Sequence, residues 1–125
     1  MRAFILALLL LLPITVSAQN EPSANQQLVW KTLQDTAPVH EILKACDRDV
    51  VAGMLWDYVE QRLHPLVGTE NNWRIVNDMW QQARRQARVQ DHNLLVAIVQ
   101  DSEGELAEVC NSVEQFTVQM IGAGA

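Results

Sequence analysis

The stretch from Val39 to Leu63, VHEILKACDRDVVAGMLWDYVEQRL, decides how the rest of the chain is read. Val39, Ile42, Leu43, Cys46 and Val50 recur at helical spacing and define one apolar face. Beyond them the pattern moves. Val51, Leu55, Tyr58 and Val59 form a new apolar face, while Asp57, Glu60 and Gln61 arrive where Ile42 and Val50 had pointed. At about 100° per residue the change of phase is roughly a third of a turn, which requires a bend or two different packing partners. Gly53 sits at the change and is the expected place for a bend.

Toward the N-terminus, Leu28, Val29, Trp30 and Leu33 give a short helix one apolar side. Asp35-Thr36-Ala37-Pro38 then reads as a stop and a fresh start, with Thr36 as cap and Pro38 in the first turn. On so short a helix, Trp30 is the tryptophan expected to be exposed. Toward the C-terminus, Pro65 disfavours helical geometry at His64 and marks a boundary there. Thr69 is the expected N-cap of the next helix, with Glu70 well placed for its dipole. Trp73, Val76, Trp80, Ala83 and Ala87 share a face that Leu94, Leu95 and Ile98 continue in phase. Only Asp91 interrupts this stripe, and periodicity leaves open whether 70–100 is one helix or two. Ser102 and Glu105 have capping-box spacing. They introduce a last helix with Leu106, Val109, Cys110, Val113, Phe116 and Met120 on one side. No period-two run and no internal repeat occurs. The expected fold is all-α, a small antiparallel bundle of four to five helices.

The chain opens MRAFILALLLLLPITVSAQN. Arg2, the nine apolar residues 4–12, Pro13 and then Val16-Ser17-Ala18 follow the pattern of a secretory leader cleaved after Ala18. The apolar run is shorter than the roughly 20 residues a spanning helix needs. Residues 1–18 are thus read as a signal peptide and 19–125 as a single helical domain, periplasmic or secreted. Removing Arg2 with the leader takes the formal net charge from −6 to −7. Phosphate neutralisation needs clustered Lys and Arg, so this acidic balance argues against nucleic acid as the main partner. No later segment is long and apolar enough for a stable membrane span.

An exported chain with two cysteines is expected to pair them. A Cys46–Cys110 bridge closes a loop of 64 residues. On the chain-entropy model such a loop is worth about 4 kcal/mol.

Candidates for chemistry are sparse. His40, His64 and His92 form no pair at the spacing of a zinc-hydrolase helix, so no metal is implied. No CxxCH run attaches haem, and no cofactor is implied. Asp57 and Glu60 continue a face that began apolar. Inside a cleft, such carboxylates acquire raised pKa values suited to acid–base work; on a bent helix they simply face water. Trp56 lies beside them, and aromatic and acidic groups together can form a recognition surface. Arg84, Arg85 and Arg88, with Arg74 upstream, are the only basic cluster. Guanidinium groups suit bidentate contact with carboxylate or phosphate, so this face can hold an acidic partner or pair with acids inside the protein.

Three functional classes follow, the last a structural domain whose role needs only its presence. The first is an interaction protein that binds another protein as an inhibitor, immunity factor, chaperone or assembly accessory, with a homodimer through Trp30 or Trp56 as one variant. The second is a small-ligand binder or enzyme using an inter-helix cleft around Asp57 and Glu60 or the arginines. Convergence of those residues in a pocket favours the second; their lying on open surface favours the first.

Overall fold

The computed structural model describes residues 24–124, so the leader expected at 1–18 lies outside the described residues. Five helices follow one another: α1 (Ala24–Ala45), α2 (Asp49–Val67), α3 (Glu70–Gln90), α4 (His92–Val99) and α5 (Ala107–Gly124). Among the described residues there is no strand, and the fold is the expected all-α bundle.

α1 is the axle. It packs against each of the other four helices, with α2 and α3 as its main neighbours. The expected break at Thr36–Pro38 does not occur: α1 runs through Pro38 without interruption. Thr36 caps nothing. Its hydroxyl donates back to the Thr32 carbonyl at 2.7 Å, as Thr32 does to the Leu28 carbonyl at 2.8 Å. A proline inside a helix costs about 3 kcal/mol through its missing N–H and its ring clash. Burial outweighs that cost, since Leu33, Ala37 and Leu43 on either side are wholly buried and a fully buried leucine contributes about 1.5–3 kcal/mol. The long helix also places Trp30 against the core, half-buried, where a short one was expected to leave it exposed.

The phase change in 39–63 is real, but its cause is a chain reversal at Asp47 and not a bend at Gly53. Gly53 lies inside α2. Asp47 has φ 58°, in the left-handed region. The Arg48 N–H reaches the Leu43 carbonyl at 2.8 Å and the Asp47 N–H the Lys44 carbonyl at 3.1 Å, the paired bonds of a Schellman ending. Val50 belongs to the new helix and is exposed, while Val51, Leu55 and Val59 are buried.

α2 likewise runs past His64–Pro65 and ends at Gly68, φ 81°. Pro65 is exposed, as is Gln61, whose carbonyl loses its helical donor; water can serve that group, while Leu63 and Val67 hold the last turn to the core. Thr69 caps α3 as expected, accepting from the Asn72 N–H at 3.4 Å. The α3 stripe buries Val76, Trp80, Ala83 and Ala87. Residues 70–100 are two helices, parted at Asp91.

The turn before α5 is not the expected capping box. Asp101, not Ser102, does the work: its carboxylate accepts from the N–H groups of Glu105 at 2.9 Å and Leu106 at 2.8 Å. On α5 the buried positions are Cys110 and Thr117, the hydroxyl of the latter donating to the Val113 carbonyl at 2.8 Å, and Phe116 is left 59% exposed.

The Cys46–Cys110 disulfide is formed, with Cα atoms 5.7 Å apart. It packs on Ile98 with Ile42, Ala45 and Leu106, so α1, α4 and the start of α5 meet in one small apolar cluster. Arg48 doubles the tie: its Nε donates to Glu114 at 2.7 Å, and its other nitrogens to the Cys46 carbonyl at 2.9 Å and Asn111 at 3.2 Å.

Two predictions concern stability. Replacing both cysteines by serine lowers the unfolding free energy by about 2–4 kcal/mol, and unchanged urea midpoints for the double variant exclude a stabilising bridge. Asp47→Val costs about 1–2 kcal/mol through its left-handed backbone, whereas Asp47→Gly does not destabilise; equal losses for the two in the same urea titration refute that assignment.

Candidate functional site

The most heavily charged point of the interior is Glu41. Residues 33, 37 and 41 climb one side of α1 in steps of four, and that side faces the core, so Glu41 is only 6% exposed. An unpaired carboxylate there would be strongly unfavourable. Three donors meet it. Arg84 Nε lies 2.9 Å from Oε2, Arg88 Nη1 2.7 Å from Oε1, and His40 Nδ1 2.8 Å from Oε2. Both arginines come from α3. Burial alone would raise the Glu41 pKa, but the hydrogen bonds from His40, Arg88 and Arg84 together hold it below its ordinary value. Burial depresses the His40 pKa, and Arg84 and Lys44 act in the same direction against the pull of Glu41. His40 is therefore neutral at pH 7, and the contact assigns its proton to Nδ1, which donates to the carboxylate.

The His40 ring stands edge-on to Trp80, centroids 5.0 Å apart, and Trp80 stacks on Trp56 at 4.7 Å and 20°. This layer joins α1, α3 and α2. A histidine oriented by a carboxylate supplies two of the three members of a nucleophile-activating triad, but here the ring is buried between Glu41 and Trp80, and among the described residues no hydroxyl or thiol hydrogen-bonds to it. The cluster serves packing and register.

The residues singled out in the sequence do not come together. Arg84 and Arg88 are drawn inward to Glu41, while Arg74 and Arg85 are exposed and free of ion pairs among the described residues. Trp56 is half-buried in the aromatic stack. Asp57 and Glu60 are exposed on α2 and line none of the described cavities. Cys46 and Cys110 are joined. Among the described residues, no group of three or more His, Cys, Asp or Glu is placed to hold a metal, and no helix is long and apolar enough to cross a membrane.

Two surface features emerge instead. One is a cleft of about 450 Å³ between the start of α1, the end of α2 and the start of α3, walled by Val29, Trp30, Leu66, Ile75, Val76 and Met79. The other is a shallow recess where α3 meets α4, lined by Arg85, Arg88, Val89 and His92. Val89 is 78% exposed at its centre. The sequence reading included its arginines but missed both the valine and the cleft. Glu41 was missed as well, although its place four residues beyond Ala37 and eight beyond Leu33 was a signal once α1 is continuous.

No protein family, curated protein or solved structure matches this chain. Class rests on the fold: a small disulfide-tied all-α bundle.

The Glu41 cluster makes a prediction about pH. His40 has a folded pKa below the ordinary 6.5, so its contribution to stability is complete above 6.5 and declines as pH falls toward the folded value. Glu41 has a folded pKa below the ordinary 4.5, so its contribution is complete above 4.5 and is lost as pH falls through the folded value. Relative to His40→Gln, the native chain therefore loses stability in the interval below 6.5, as measured by urea unfolding at stepped pH. Parallel pH profiles for the two proteins contradict a buried neutral His40.

Proposed function

We propose that this chain is an exported helical protein that acts by binding another protein, with the α3 edge around Val89 as the contact surface. The observation that carries the reading is Val89 itself, an aliphatic side chain almost fully exposed between Arg85, Arg88 and His92. Arginine is among the residues that dominate binding energy at protein interfaces, and an apolar anchor ringed by polar groups is the usual arrangement. α3 is also the one described helix with more basic than acidic residues, four arginines against Glu70 and Asp78. On a chain of net charge −6 that edge selects an acidic partner surface and speeds encounter with it.

The shallowness of the recess suits a protein surface better than an enclosed small molecule. The open placement of Asp57 and Glu60 points the same way, since carboxylates exposed on α2 lack the low-polarity setting that acid–base work needs. Export rests on the leader pattern of residues 1–18 and on the disulfide, a bond that persists in oxidising compartments. Inhibitor, immunity factor, chaperone and assembly accessory all fit this description.

The test is affinity capture by the tagged full chain from the exported fraction of the cells that produce it, beside an Arg85→Glu/Val89→Glu variant. Both side chains are exposed, so the variant keeps the fold. A stoichiometric protein captured by the native chain, weakened by salt and lost in the variant, is the expected result. No capture at any ionic strength, or equal capture by the variant, overturns this reading of the edge.

A further inference from the structure

A second surface lies farther down α3. Ile75 and Val89 are 14 positions apart in the chain, which is about 21 Å along a helix, so the α1–α2–α3 cleft and the Val89 recess are separate places. We infer that this cleft is a binding site for an uncharged, largely apolar small molecule carrying one hydrogen-bond donor. It stands whether or not the α3 edge binds a protein.

Three observations carry it. Its volume of about 450 Å³ falls in the range of ligand sites, about 300–1,000 Å³. Aliphatic, aromatic and thioether groups make up most of its walls, with the neutral amides of Asn25, Gln26, Gln27 and Asn72 beside them, and Ile75 is left 57% exposed, so an occupant gains apolar burial that the protein alone does not achieve. Above all, among the described residues no ionisable side chain lines it, in a chain that is 19% charged. A charged ligand entering there gives up hydration and finds no counter-ion, whereas a neutral one loses nothing of the kind.

The polar rim sets the donor requirement. Asn72 is held in place because its Nδ2 donates to the Val67 carbonyl at 2.9 Å, which leaves Oδ1 as an acceptor. That anchor depends on the turn at Gly68, whose positive φ lets α3 start beside the end of α2. A ligand N–H or O–H meeting Asn72 Oδ1, with its apolar body against Trp30 and Met79, gives that acceptor a partner while burying the apolar wall.

Two dyes sharing one aromatic body and one N–H provide the test: neutral N-phenyl-1-naphthylamine and anionic 8-anilinonaphthalene-1-sulfonate, each titrated into the full chain. The neutral dye binds saturably at one site with quenching of tryptophan emission, and the sulfonate binds at least about tenfold more weakly, the factor that 1.4 kcal/mol represents. Ile75→Lys weakens the neutral dye by at least about tenfold on the same scale, while Val89→Lys on the same helix leaves it unchanged. Absence of saturable binding, equal affinity for the two dyes, or an unaltered titration for a folded Ile75→Lys overturns the inference. The comparison of dyes on the native chain stands even where a variant does not fold.

Discussion

A carboxylate placed in the core stripe of the central helix constrains everything around it. Glu41 cannot remain ionised inside the bundle unless donors reach both its oxygens, and those donors are fixed in position on α3. Apolar side chains tolerate sliding past one another with modest loss. An Arg–carboxylate contact at 2.7–2.9 Å does not. The ion cluster therefore sets how α3 is rotated and shifted against α1. Taking away one partner of such a buried pair typically costs about 3–5 kcal/mol, because the remaining charge is stranded. His40 extends the same constraint to α2, since the ring that donates to Glu41 also positions Trp80, on which Trp56 stacks.

The far end of α1 is governed by a different bond. There the helix ends in a left-handed aspartate, and Cys46 one residue earlier is covalently joined to α5. Arg48 grips the same helix through Glu114 and Asn111. α4 supplies only Ile98 to this cluster, enough to seat a helix of eight residues whose remaining apolar side chains are partly or largely exposed. One end of the bundle is thus closed by chemistry. At the other, α1, α2 and α3 diverge from a common core and leave the apolar cleft between them.

Much of this architecture was legible, and the failures share a cause. The α3 stripe and the Thr69 cap were readable because local spacing decides them, and the disulfide because the chain has two cysteines behind a leader-like N-terminus. The errors at Pro38, Pro65 and Ser102 came from giving local propensity the deciding vote where tertiary burial held it. Breaking α1 at Pro38 had a further consequence. With the helix split, Glu41 falls outside the stripe of Leu33 and Ala37, so the buried ion is hidden, and the internal pairing open to Arg84 and Arg88 is left without its partner. Phe116 and Thr117 show the same effect on a smaller scale. Hydrophobicity favours the phenylalanine for the core, but a threonine that bonds its own helix carries no unsatisfied group inward.

The arginine cluster shows why a charge count is not a surface. Four arginines in α3 suggest a broad cationic face, yet Arg84 and Arg88 each give a donor to Glu41. Apart from Arg74, what reaches solvent is smaller and more specific: Arg85, the outer part of Arg88, His92 and the valine they surround. Arg88 takes part in both settings. A guanidinium has five N–H donors, and the bond to Glu41 uses one of them. A partner carboxylate can therefore engage the others without releasing the internal ion pair. The register of α3 then positions the recess, because Arg88 is held from behind by the buried charge that fixes the helix. A contact surface built on such an anchored side chain loses less rotamer freedom on binding than one built on free surface arginines. That difference makes the α3 edge a better candidate for recognition than Arg74, which is equally charged and has no ion pair among the described residues.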